Sequence, residues 1–188
     1  EDDMDFPYRE VKDFPYLKSV IEEQLDQYNM EAGYLPMRLV LFRKACEHIA
    51  RIIRIIKQPK GNALLVGVGG SGRQSLAKLA TYIARYKIFR IEITRNYGLV
   101  QFKEDIKELY RQAGIEKQQM VFLFTDTQIS NEGFVEVINN ILSSGVVPNL
   151  YASEELSAIK DTLRKEALDD GIVDIGDNIF KYFIDRIR

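Results

Sequence analysis

Residues 62–80 read NALLVGVGGSGRQSLAKLA. An apolar run, 63–66, feeds a glycine-rich turn and then what reads as a helix. Phosphate-binding loops are built this way, because successive backbone N–H groups point into the bend and the helix N-terminus adds partial positive charge. Three templates compete for the text. Read as G-x-G-x-x-G through Gly67, Gly69 and Gly72, it is the dinucleotide fingerprint, and Glu92 lies about 20 residues on, where an acid would hold a ribose. Read as G-x-x-x-x-G-K-[ST], it is a P-loop with Gly67 and Gly72 in place, but with Arg73 and Gln74 where Lys and Ser or Thr usually stand. The G-x-S-x-G nucleophile elbow needs Gly at 73, finds Arg, and has its only histidine, His48, upstream of Ser71, so it fails. A glycine turn with no ligand is disfavoured, because so many glycines weaken a fold unless something approaches the backbone.

Two features favour the P-loop. About sixty residues precede the glycine strand, whereas dinucleotide domains commonly open with it. Further on, VFLFTD (121–126) is an apolar strand ending in an acid. In P-loop enzymes that acid lies beside the phosphates and holds Mg2+ directly or through water. Alone, Asp126 is as well read as a turn cap; with the loop upstream it is read as a metal residue.

The chemistry follows from the residue types. The amides of Gly69, Gly70, Ser71, Gly72 and Arg73, with the helix N-terminus, offer donors to a β-phosphate that do not depend on side chains. Arg73 keeps a positive charge and can fork onto phosphate oxygens, although it is larger than Lys and shaped differently. Gln74 lacks the hydroxyl that normally ligates Mg2+; Ser75 has one, turned about 100° around the helix. The metal site is expected to be weak. Hydrolysis needs a general base, usually Glu directly after the terminal Asp, and here Thr127 and Gln128 follow. A hydroxyl does not take a proton at neutral pH, and loss of a general base commonly costs roughly two to four orders of magnitude. Nucleotide binding with little turnover is expected, and no residue is assigned a catalytic role.

The bulk numbers narrow the class. A chain of 188 residues that is 46% hydrophobic can bury one full core. With 28 acidic against 26 basic residues, electrostatics give no pull toward nucleic acid. No apolar run approaches the roughly 20 residues that cross a bilayer. The opening, EDDMDFPYREVKDFPY, lacks the cationic and apolar regions of a signal peptide. Cys46, the only cysteine, rules out an internal disulfide and falls on an apolar helical stripe, where it reads as buried filler. His48 is expected on the helix surface, and a lone histidine excludes paired-histidine metal sites within the chain.

Along the chain, residues 1–16 carry a brief echo, FPYREV and FPYLKSV, and read as a proline-punctuated linker. From Leu17, the apolar positions Val20, Ile21, Leu25 and Tyr28 follow helical spacing, broken over 29–36. A longer helix follows, with Val40, Leu41, Ala45, Ile49, Ile52, Ile53 and Ile56 on one face. Strands are predicted at 63–66, 88–93 and 120–124, with the first and last continuous enough for buried parallel strands. Helices are predicted over 74–86, 100–113 and 133–143, and an amphipathic helix ends the chain. Strand and helix alternating with short joints imply a parallel sheet flanked by helices. Residues 149–176 read as an acidic, solvated insertion.

These residues resemble a known family. The segments LVLFRKACEHIARIIRIIKQPKGNALLVGVGGSGRQSLAKLA (39–80), VFLFTDTQI (121–129) and INNILSSGVVPNLY (138–151) are similar to AAA+ modules of dynein heavy chains, above all the fourth of the six in the motor ring, in its axonemal form. The resemblance implies an α/β P-loop NTPase (AAA+) large subdomain over 36–188, with an insertion at 149–176 and with the lid and last strands absent. Residues 1–35 become a helical linker from the preceding module. It implies a regulatory ATP/ADP site with Mg2+ in a motor that moves along microtubules. Gly67, Gly69, Gly70, Ser71, Gly72, Arg73, Gln74 and Ser75 would hold the nucleotide, with Asp126 and Ser75 at the metal. Adenine would pack near the start of the helix before the glycine strand, by position at Leu39 and Val40. The partners implied are neighbouring AAA+ modules, one of which supplies an arginine finger, a microtubule reached through a stalk outside these residues, and dynein light and intermediate chains. No nucleic acid or membrane is implied, and the location is the cytoplasm and the axoneme of a cilium or flagellum. Two rivals stand beside this reading: an NAD-type oxidoreductase domain using Glu92, and a structural ring element with an empty pocket.

Overall fold

Asp13 starts the first helix, α1 (Phe14–Met30), by accepting the Tyr16 N–H at 3.3 Å, and Pro15 takes a first-turn place where no N–H is needed. The computed structural model describes residues 10–31 and 33–188. The linker expected over 1–16 therefore lies outside the described residues as far as residue 9, and from Phe14 onward it is helix. These residues divide into two compact units, one reaching Tyr86 and one beginning at Lys87. The division falls inside the stretch expected as a single subdomain.

In the first unit α1 packs with α2 (Arg43–Ile56) and α3 (Arg73–Ile83). Ile21, Leu25, Cys46, Ile49, Leu79 and Ala80 form its buried centre, each large side chain contributing about 1.5–3 kcal/mol by leaving water. The loop after α1 is clamped by Asn29, whose amide donates to the Met37 carbonyl at 3.1 Å and accepts the Met37 N–H at 2.8 Å. Cys46 is fully buried and burial pushes its thiol pKa up, whereas His48 is exposed.

Three sequence expectations shift here. The second helix starts at Arg43, and Val40, placed on its apolar face, is 84% exposed. Residues 63–66 form no strand: Leu64 and Val66 are exposed, and the Leu65 carbonyl accepts from Arg73 instead of joining a ladder. Apolar β-branched text marks a segment for a sheet, but a strand exists only where a neighbour takes its hydrogen bonds. Helix α3 stops at Ile83 and not Tyr86, because Arg85 turns left-handed (φ 64°) and the Tyr86 N–H returns to the Thr81 carbonyl.

The second unit holds β1 (Lys87–Phe89) and β2 (Met120–Phe122), paired in parallel with Ile88 opposite Val121. Both are shorter than predicted and only partly buried. Between them run α4 (Leu99–Tyr110) and a π-helical turn, Arg111–Ile115. Helices α5 (Glu132–Ser143), α6 (Ser153–Asp169) and α7 (Asn178–Ile187) complete the unit. Phe102 stacks on Phe134 at 4.3 Å and 12°, and the Tyr110 hydroxyl donates to the Gly145 carbonyl at 2.6 Å. The expected solvated insertion is instead part of this core, since α6 buries Ile159, Leu163 and Ala167. Its acidic residues face outward or pair, as Glu155 does with Lys107 at 2.8 Å.

The π-helical turn lets α4 end against α7. A Cβ on Gly114 would sit 2.7 Å from Phe183 Cδ2 and 3.1 Å from Ile187 Cγ1, and Phe183 is fully buried. Arg111 secures the turn by a two-pronged contact with Glu108 (2.8 and 2.7 Å) and by an ion pair with Glu116. That guanidinium, followed by the Gln112 amide, holds the Glu108 carboxyl down to about 2. Gly114→Ala should lower unfolding free energy by about 1–3 kcal/mol in urea titrations; an unchanged midpoint would mean the Phe183 ring is not fixed there. A depressed carboxyl contributes stability above its ordinary value of 4.5 that fades as pH falls toward about 2. The loss of stability across that interval should therefore be smaller in Glu108→Gln, and only slightly so, because the pair is exposed.

Candidate functional site

The glycine bend joins an extended segment to α3 within a few residues. Gly70 and Gly72 take left-handed φ values of 76° and 75°, and Gly72 is the N-cap of α3. No heavy atom lies within 4 Å of where a Cβ would stand on Gly69, Gly70 or Gly72. Conformation, not crowding, demands glycine at 70 and 72, and the bend is open to the approach of a ligand. The Ser71 N–H donates to the Val68 carbonyl at 3.3 Å and closes the turn. Among the described residues, the amides of Gly69, Gly70 and Gly72 have no backbone acceptor. Those of Arg73, Gln74 and Ser75 sit in the first helical turn, where the helix itself supplies none.

This donor set, with the positive end of α3 and no acidic residue from 67 to 75, fits a polyphosphate anion. The Arg73 guanidinium lies on the loop's own carbonyls, Nη1 donating to Leu65 and Nη2 to Val68, each at 3.3 Å. Gln74 is exposed and Ser75 half-buried. Of the two residues assigned to adenine, Leu39 packs against the first core and Val40 stands out into solvent.

The strand-end acid belongs to the second unit. Asp126 begins a tight 3-10 turn, Asp126–Gln128, and its Oδ1 accepts the Thr127 N–H at 3.0 Å while the residue itself is exposed. The Thr127 hydroxyl lies 3.0 Å from that of Thr125. Sequence reasoning passed over Gln128, whose amide shapes this turn: its oxygen accepts the Thr125 N–H at 2.8 Å, and its nitrogen donates to the Ile91 carbonyl at 2.5 Å. The Thr125-x-x-Gln128 spacing of a capping box signals the first contact, whereas nothing in the sequence signals the second, since Ile91 is remote.

Among the described residues no cluster of three or more His, Cys, Asp or Glu is placed to hold a metal ion. Ser75 belongs to the first unit and Asp126 to the second, and each offers only the oxygen donors that Mg2+ takes. Glu92 lines a shallow cavity of about 510 Å³ in the second unit, with Glu104 and Asp105 beside it. The Tyr97 hydroxyl there donates to Asp105, and the lining sets three carboxylates against one cation, Arg90, a balance that disfavours an anion.

Gly72→Ala should cost about 1–2 kcal/mol of stability from the left-handed backbone alone. Gly72→Asn should recover part of it in the same denaturation assay, because Asn tolerates that conformation; equal losses for both would point to crowding instead.

No helix among the described residues is long and apolar enough to cross a membrane. The family described as P-loop containing dynein motor region D4 matches residues 37–188. Over 181 residues, the chain is 52% identical to dynein axonemal heavy chain 2 of Mus musculus. Identity is 50% to the dynein-1-beta heavy chain, flagellar inner arm I1 complex, of Chlamydomonas reinhardtii and 44% to the dynein beta chain, ciliary, of Tripneustes gratilla. Each alignment covers 96% of this chain, which spans 4% of the length of those relatives. A likeness of that depth, running through the glycine bend, α3 and the strand-end acid, is inherited, and the chain belongs to the dynein heavy-chain family, in the D4 region of the motor.

Proposed function

We propose that this chain is a regulatory nucleotide-binding module of an axonemal dynein heavy chain, holding ATP or ADP with slow or no hydrolysis. It is read as most of an AAA+ large subdomain over 36–188, led in by residues 1–35. The observation that carries the reading is the glycine bend, with its left-handed Gly70 and Gly72 and its unclaimed amides at the head of α3. Those donors belong to the backbone, so altered side chains at 73 and 74 leave them in place.

The residues assigned to hold the nucleotide are Gly67, Gly69, Gly70, Ser71, Gly72, Arg73, Gln74 and Ser75, with Leu39 and Val40 near the adenine. For Mg2+, which when bound neutralises phosphate charge, the sequence reading names Ser75 and Asp126 as candidate ligands, one in each unit. Thr127 and Gln128 supply no carboxylate after Asp126, and their polar groups are spent on the turn itself. Neither side chain takes a proton from water at neutral pH. The parent motor would move along microtubules through a stalk outside these residues, with neighbouring modules and dynein light and intermediate chains as partners. The axonemal, flagellar and ciliary names of the relatives favour the axoneme as its location. Family membership speaks against the NAD-type reading with Glu92.

The test uses the full-length heavy chain and a photoactivatable azido-ATP labelled at the α-phosphate. Peptides spanning residues 36–43, where the adenine is assigned, should carry the label, ADP should compete and NAD should not. The label should remain triphosphate for minutes. In Thr127→Glu, conversion to diphosphate at this site should rise at least about tenfold, part of what a general base contributes. Absence of label from these peptides would sink the binding reading. Fast conversion in the parent, unchanged in the variant, would sink the claim of slow hydrolysis.

A further inference from the structure

The Arg73 side chain does something the position of a phosphate-loop lysine does not require. Its stem lies across Gly67, where an added Cβ would meet Arg73 Cδ at 3.6 Å and Nε at 3.8 Å. Its two terminal nitrogens reach back to carbonyls on either side of that glycine, Leu65 and Val68. The Val68 carbonyl also accepts the Ser71 N–H. One guanidinium thus ties the extended segment, the bend and the first residue of α3 together. A planar fork is preorganised for two acceptors at once, whereas an ammonium is a point charge on a flexible stem. Two of the five guanidinium N–H donors are thereby committed to the loop's own carbonyls.

We propose that Arg73 is a positioning residue that braces the glycine bend and does not grip the terminal phosphate, so that the site holds ADP and ATP about equally. This rests on the nucleotide reading above and adds to it. Discrimination between the two nucleotides comes from groups that touch the γ-phosphate or its metal. Here the residue that would touch it is bonded to the loop, and Gln74 has no hydroxyl for the metal. With the bend braced in this way, an occupied site would respond to total adenine nucleotide and not to the ATP/ADP ratio.

The experiment is hydrogen exchange with mass spectrometry on the full-length heavy chain, following peptides that cover residues 64–74 while ADP or a non-hydrolysable ATP analogue is titrated. The parent should give midpoints within about threefold of each other. Arg73→Met, which keeps an unbranched apolar stem but loses the donors, should weaken both nucleotides to a similar degree. It should also raise exchange across 64–74 without nucleotide, while peptides of α1 and α2 are unmoved. Arg73→Lys should not restore the nucleotide-free protection. Freed from the carbonyls, its ammonium should shift the preference toward the triphosphate analogue by about tenfold, the scale of one charge-assisted contact.

A parent that prefers the ATP analogue more than about tenfold, with the preference lost in Arg73→Met, would make Arg73 a phosphate ligand and overturn the proposal. Unchanged nucleotide-free exchange in Arg73→Met would overturn the brace directly. Raised exchange in that variant with no protection by either nucleotide would keep the brace and reject the nucleotide site, so the two readings fail separately.

Discussion

A polypeptide that turns from an extended run into a helix within a few residues must leave several N–H groups facing one way with no carbonyl to meet them. In this chain the turn passes through Gly70 and Gly72, whose left-handed backbone no ordinary side chain adopts without strain. The chain's most chemically useful surface is a by-product of that geometry. Helix α3 begins where the turn ends, and its buried Leu79 and Ala80 fasten it to α1 and α2. The bend is thus held from one end by core packing and from the other by Arg73 on the Leu65 and Val68 carbonyls.

The second unit has a different logic. Its sheet is short, and most of its stability lies in helices packed around Phe102, Phe134 and Phe183. The π-helical turn after α4 lets Gly114 meet Phe183 without a side chain between them. Where α4, α6 and α7 come together, charges are paired and not merely solvated: Lys107 with Glu155, Arg186 with Glu166. The strand-end acid rides on this frame through Gln128, which links the Asp126 turn to the Ile91 carbonyl. In the reading proposed, phosphate binding belongs to backbone groups and proton transfer to a side chain, so the two can part company. A chain may exchange Glu for Thr after the acid and keep every amide of its loop.

Much of the arrangement was legible from residue order. The helices α1 through α5 and α7 follow from 3.6-residue spacing and from Pro, Gly and Asn at their ends, and Cys46 and His48 fell on the faces their chemistry indicates. The glycine loop was readable because left-handed backbone strongly favours glycine. Less legible were elements whose state depends on a partner. Residues 63–66 have strand composition, yet their Leu65 carbonyl bonds to a guanidinium. Helix α6 looked solvated because acids recur along it, although Ile159, Leu163 and Ala167 at helical spacing were the sign of its buried face.

Sequence by itself determined the local devices: the bend that strongly favours glycine, the missing carboxylate after Asp126, the periodic apolar faces, and the family that carries them. Those properties depend on the conformational range of single residues and on spacing along one element, both written in the chain. Tertiary structure alone decided that Arg73 turns back onto its own loop, that Gln128 reaches Ile91, and that Gly114 faces Phe183. Each of these is set by which groups the fold brings within a few ångströms, a matter of distance through space that no periodicity records.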